Sequence, residues 1–120
     1  MIELIDDLPD NVLAITVSGQ VTSNDYRAVV TPAADARRAA HDTLRLLFHA
    51  PPEFRKFTTT ALWDDAQIGL RRLRGFERVA MVTDVDWLKT LASGIHRSGS
   101  IEVRVFAHAE LDEARDWICA

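Results

Sequence analysis

"DTLRLLFHAPPEF", residues 42–54, decides the fold. Positions 43–50 form a nearly unbroken apolar run of strand length, the pattern of a central strand buried on both faces. Pro51 and Pro52 end it, because proline has no N–H to give to a ladder. "RVAMVT", residues 78–83, repeats the pattern and reads as a second buried strand. Around these runs the hydrophobic period switches between 2 and 3.6, the mark of an α/β protein.

Toward the N-terminus, Met1 to Asp6 reads as a short strand and Val12 to Ser18 as another, ended by Gly19. "DLPDN" between them is turn chemistry: Pro9 presets φ, and Asp10 and Asn11 tolerate turn conformations. So short a link predicts antiparallel neighbours. Thr22 followed three residues on by Asp25 predicts a capping box, with Tyr26, Val29 and Val30 as the apolar stripe of the helix it opens. Pro32 interrupts that helix, and Thr31-Pro32 reads as a fresh N-cap followed by a first-turn proline. The expectation is a bent or two-piece helix to about Ala40.

Toward the C-terminus, a helix from about Thr60 to Leu73 places Leu62, Ala66, Leu70 and Leu73 on one face and stops at Gly75. A third helix runs from Asp86 to about His96, with Trp87, Leu88, Leu91 and Ile95 inward. "IEVRVFA", 101–107, alternates apolar and charged residues as an edge strand does, and such an edge is open to a homodimer. The closing helix, 109–119, uses Leu111, Ala114, Trp117 and Ile118. The order is ββαβαβαβα in a single domain, 1–120. The sheet is mostly parallel, and right-handed crossovers put the helices mainly on one side.

Composition narrows the function. The chain is 48% hydrophobic and 27% charged, ordinary for a globular protein. Its net charge of −4 and scattered basic residues argue against a nucleic-acid partner, which clustered Lys and Arg would recognise. Cys119 is the one cysteine, so no disulfide framework or Cys-based zinc site forms within a chain. The first ten residues carry acids where a signal peptide needs Lys or Arg, and no apolar run is long enough to span a bilayer. A reducing cytoplasm is the expected location.

"ALWDD" (61–65), "FERVAMVTDVDWL" (76–88) and "VRVFAHAELDEARDWI" (103–118) resemble the SpoIIAA-like proteins of the STAS superfamily, and the similarity runs over nearly the whole chain. The resemblance implies a right-handed βα superhelix and a non-catalytic regulatory or protein-interaction module without a cofactor. It also implies a switch of the STAS type, in which a Ser or Thr is phosphorylated at the start of the helix after the central strand. That motif is an Asp-Ser pair followed by small residues and glycine. The matching stretch, "PPEFRKFTTTALW" (51–63), has no serine, and Thr58, Thr59 and Thr60 are the only hydroxyls near that helix start. The implied fold is similar to lipid-carrying domains as well. The alternative is therefore a carrier or sensor of a small apolar or lipid ligand.

The chemistry-bearing residues have plain structural readings. Asp64 and Asp65 suit the first turn of a helix, where the dipole favours acids. "VTDVDW" places Asp84 and Asp86 after a hydrophobic strand, as a haloacid-type phosphatase would, but no second acidic pair follows at a strand end. Asp84 is expected to cap the loop and Asp86 to be an N-cap. His49 ends the central strand, at the edge where α/β sheets bind ligands. His41, His96 and His108 share no metal-ligand spacing with it, and no metal or catalytic residue is assigned. Trp63, Trp87 and Trp117 are expected in the core. The expected working surface is the loop 51–60 and the start of the next helix, with His49 and Asp84 nearby. There Trp63 would flank an apolar pocket, with Phe54 and Phe57 as its lid. With Arg55 and Lys56 inside it, the same loop suits peripheral contact with a membrane.

Overall fold

The computed structural model describes residues 1–5, 7–52, 54–57, 76–97 and 101–120. The elements are β1 (Ile2–Ile5), β2 (Val12–Val17), β3 (Gly19–Val21), α1 (Ser23–Asp25), a π-helical segment (Tyr26–Val30) and α2 (Thr31–Arg38). Then come β4 (Leu44–Ala50), β5 (Phe54–Phe57), β6 (Phe76–Thr83), α3 (Asp86–Arg97), β7 (Glu102–Phe106), a 3-10 turn (His108–Glu110) and α4 (Leu111–Cys119). The helix expected over 60–73, with Gly75 and the inward side chains of Leu91 and Ile95, lies outside the described residues.

The main sheet has five strands in the order β1-β2-β4-β6-β7. β1 and β2 are antiparallel, as the short DLPDN turn requires, and the other three pairs are parallel. β4 is the central strand. Each parallel step moves the same way across the sheet, so right-handed crossovers lay their helices on one face. Strand alternation supplies that face with Leu13 and Ile15 of β2, Phe48 of β4 and Met81 of β6. Ala33 and Ala34 of α2 and Leu88 and Ala92 of α3 cover them. Only the chain after β7 is free of the crossover rule, and it goes to the other face. There Ala114 and Ile118 of α4 close a second core over Val12, Ala14, Leu47, Ala80, Val82 and Phe106. Ala14, Ala80 and Ala114 have no exposed surface, and their small size lets the helix sit close to the sheet.

Two arginines of the sheet hold the far end of α4. The last carbonyls of a helix have no partner within it. Arg45 Nη1 donates to the Ile118 carbonyl at 2.9 Å, and Arg78 Nη1 donates to that of Trp117 at 3.2 Å. The Arg78 guanidinium also lies 5.3 Å from the centre of the Trp117 ring, a cation–π distance.

The first helical region opens as its sequence predicts. The Thr22 N–H donates to Asp25 Oδ2 at 2.9 Å, and the Asp25 N–H donates to Thr22 Oγ1 at 3.1 Å, the reciprocal capping box. The expected interruption takes a different form. The preceding residue, Val30, is already in the right-handed helical region, so Thr31 lies within the helix rather than capping it. The turn before Pro32 widens to π geometry instead, which accommodates the missing N–H and the ring clash one turn back.

Three other features depart from expectation. Part of the apolar loop is a strand: β5 pairs parallel with β3 in a separate two-stranded sheet. Gly19 does not merely end β2. Its φ of +57° turns the chain into β3, a conformation that L side chains rarely adopt. Trp87 is not inward, because its side chain remains 41% exposed while the next residue, Leu88, takes the buried position.

Candidate functional site at the C-terminal edge of the sheet

The parallel strands β2, β4 and β6 end together, and their last residues bring polar groups to one edge. β2 register sets Thr16 beside His49 of β4, and β4 register sets His49 beside Val82 of β6. Thr16, His49 and Val82 therefore point to the α4 face, by the same alternation that sends Ile15 and Phe48 to the opposite one. His49 is buried, at 7% exposure. Its Nδ1 lies 3.4 Å from Thr16 Oγ1, and its Nε2 lies 3.0 Å from Nδ1 of His108 in the turn after β7.

The two imidazoles meet edge to edge. Their planes are within 7° and their centroids are 5.1 Å apart. That separation exceeds the nitrogen–nitrogen distance by nearly two ring radii, so both rings lie in one plane with the facing nitrogens in line. A neutral imidazole donates at one nitrogen and accepts at the other. Thr16, His49 and His108 thus form one hydrogen-bonded chain, which runs in either direction according to the tautomer. A metal ion in line between the rings would need the nitrogens ~4 Å apart. The 3.0 Å separation is too short for one. Among the described residues no group of three His, Cys, Asp or Glu side chains is placed to hold a metal ion.

Asp84 completes the edge. Its Oδ1 accepts the His108 backbone N–H at 3.1 Å, so the carboxylate ties the end of β6 to the turn after β7. Asp84 therefore caps a loop as expected. Asp86 is the first residue of α3, and Val85 precedes it as the flanking residue whose carbonyl accepts from the Lys89 N–H at 3.3 Å. Thr83 is fully buried and accepts the Val85 N–H on Oγ1 at 3.1 Å. The chemistry of this edge is mutual satisfaction: Thr16, His49, His108 and Asp84 tie neighbouring elements together, and Thr83 fixes the chain as it leaves β6.

An apolar patch lies at the same end, where α3 begins. The Trp87 ring centre is 5.9 Å from that of Phe54, with the planes tilted by 43°. Phe54 is itself buried, at 6% exposure, and belongs to the core under α2 and α3. It forms the floor of the patch, and the indole is the part that solvent reaches. Phe57 closes the β5 register opposite Val21.

Of the residues singled out from sequence, His49 and Asp84 converge through His108, while Phe54 pairs with Trp87. Trp63, Thr58, Thr59, Thr60, Asp64 and Asp65 lie outside the described residues. Sequence reasoning missed Thr16 and His108. The available signal was positional: His49 and His108 each stand just beyond a phenylalanine at the C-terminal end of a strand, in "FHA" and "FAHA".

A family model described as SpoIIAA-like matches residues 12–119. No curated protein matches the chain in sequence. Among solved structures, an uncharacterized protein from Shewanella loihica with a SpoIIAA-like fold superposes with a TM-score of 0.75. It is 24% identical, and the match covers 99% of this chain and 93% of that one. At that identity the likeness shows the fold alone.

Proposed function

Because the chain belongs to the SpoIIAA-like family, we propose that it is a non-catalytic regulatory or protein-interaction module working through the C-terminal edge of its sheet. The observation that carries this reading is the 41% exposure of Trp87 beside Phe54, at an edge whose polar groups bind one another. A large aromatic that is packed on a buried ring yet partly exposed to solvent is the kind of anchor that dominates binding energy in protein interfaces. The stretch 51–60 contains Phe54, the ring partner of Trp87, and supplies Thr58, Thr59 and Thr60 as phosphate acceptors. A phosphate there adds a strong negative charge near Arg55 and Lys56 and alters what the edge can bind.

A photo-crosslinking side chain at position 87, compared with one at the exposed Asp112 of α4, tests the reading in cells of the source organism. Discrete adducts at 87 and none at 112 are expected. Adducts at 112 alone would overturn it. Glutamate at each of the three threonines should change the adducts at 87, and an unchanged set would remove the switch.

The same indole favours a second reading, a carrier or sensor of a small apolar or lipid ligand with peripheral membrane contact. No helix among the described residues is long and apolar enough to cross a membrane. Native mass spectrometry after gentle extraction should then show bound lipid. A clean unliganded mass together with no pelleting on liposomes would eliminate this reading.

A further inference from the structure

We infer that the outer edge of β7 pairs antiparallel with the β7 of a second copy, in the register centred on Val103. This inference does not depend on the proposed function, because it concerns the side of the sheet rather than the C-terminal ends of its strands.

Among the described residues β7 is the last strand of the main sheet, bonded on one side to β6 in an unbroken register. Natural edges are blunted by proline, by charged side chains, lysine above all, or by a bulge. Glu102–Phe106 has no proline or lysine, its ladder with β6 has no register shift, and its two charges, Glu102 and Arg104, are of opposite sign and so can oppose each other in a second copy. Glu102, Arg104 and Val105 are exposed. Val105, at 39%, is one of four large apolar side chains left exposed among the described residues.

Geometry leaves few ways for this strand to meet itself. Residues directly opposite in an antiparallel pair point to the same face, so a two-fold axis normal to the sheet passes midway between the two copies of one residue. Centred on Glu102 or on Arg104, the pairing sets a charge against its own copy, which is unfavourable. Centred on Val105, it sets Arg104 against Phe106 and leaves Glu102 beyond the partner strand. Centred on Val103, it sets Glu102 opposite Arg104 twice, Val103 against Val103, and Ile101 against the exposed Val105. Only this register opposes unlike charges and covers the exposed valine at once.

The existing contacts are compatible. Glu102 lies 3.4 Å from Arg78 of its own chain with a side chain still 57% exposed, so its carboxylate has an open side for a second cation. Arg104 lies 5.1 Å from the centre of the Phe106 ring, which holds its guanidinium near the strand. The opposite edge of the sheet is the weaker candidate. β1 has four residues and Glu3 as its only charge, so no self-pairing there opposes unlike charges.

Charge exchange provides the test, with sedimentation velocity as the readout and thermal melting as the control for folding. The wild type should sediment at twice the 13.5 kDa chain mass in the micromolar range. Glu102→Arg and Arg104→Glu should each raise the dimer Kd by about tenfold or more, since each places like charges opposite one another at two positions. The double variant should return the Kd to near the wild-type value. The contact with Arg78 is lost in Glu102→Arg and in the double variant alike, so rescue reports only on pairing between copies. A wild type that stays monomeric to high concentration overturns the inference. So do single variants with unchanged Kd, or a double variant no tighter than the singles.

Discussion

Arg45→Met tests how the sheet holds α4 on its second face. The guanidinium does two things: Nη1 donates to the Ile118 carbonyl at 2.9 Å, and Nε donates to Glu77 Oε1 at 2.7 Å. The arginine side chain is 16% exposed and that of Glu77 is 41% exposed. The ion pair is therefore half in water and contributes little, about 0–1 kcal/mol. The bond from a charged donor to a helix-end carbonyl contributes about 1.5–3 kcal/mol, and losing it leaves that carbonyl without a partner among the described residues. Methionine keeps the packing of the aliphatic stem, so the loss isolates the polar head. The expected cost is about 2–3 kcal/mol, or a fall in Tm of ~10 °C for a domain of this size. Urea unfolding followed by circular dichroism measures it, with an unchanged m-value showing that the same surface is exposed. Arg45→Lys keeps the charge but loses the fork, and should fall about midway. Arg78 holds the neighbouring carbonyl. If the two arginines pin one helix end, Arg45→Met/Arg78→Met should cost less than the sum of the single changes. A stability within about 0.5 kcal/mol of wild type for Arg45→Met would refute the account, and α4 would then be held by apolar packing alone.

Asp25→Ala should cost about 1 kcal/mol, because it deletes one half of the capping box with Thr22. The Thr22 N–H holds the Asp25 carboxyl below its ordinary value of 3.8, so this contribution is present above that pH and is lost as pH falls through the lower folded value. Acid unfolding of Asp25→Asn should accordingly lack part of the wild-type stability loss below about pH 4; identical acid limbs would contradict it. Ala80→Leu should cost about 1–3 kcal/mol in urea unfolding, because Ala80 has no exposed surface beneath α4 and a larger side chain would push the helix off the sheet. An unchanged midpoint would show that the helix has slack there. Trp87→Ala should cost less than the 3–5 kcal/mol typical of a buried aromatic, since 41% of Trp87 is already in solvent. A loss in that full range would mean that the indole is part of the core.

Most of the sheet was legible because its signals are local. The apolar runs at 43–50 and 78–83 could satisfy their burial only as central strands, and β4 and β6 occupy them. DLPDN predicted the antiparallel pair, and Thr22 with Asp25 predicted a cap whose two bonds both form. β3 and β5 escaped because they are three and four residues long and depend on each other for pairing. Such segments carry too few positions for periodicity to register. Trp87 escaped because α3 offers two adjacent large apolar residues at its start, and hydrophobicity alone does not say which of them the helix turns inward.

The candidate site divides along the same line. The sequence by itself determined that the chain is an α/β protein with its central strands over 43–50 and 78–83, and that His49 and Asp84 stand at strand ends. Those features follow from side-chain period and turn chemistry within a few residues of each other. Only the tertiary structure decided that His49 meets His108, that Asp84 latches the turn carrying it, and that α4 crosses to the far face under two arginine clamps. Each of these joins positions separated by 24 to 73 residues. Their encounter is fixed by strand order and register, which sum the hydrophobic preferences of the whole sheet and leave no mark on any single stretch.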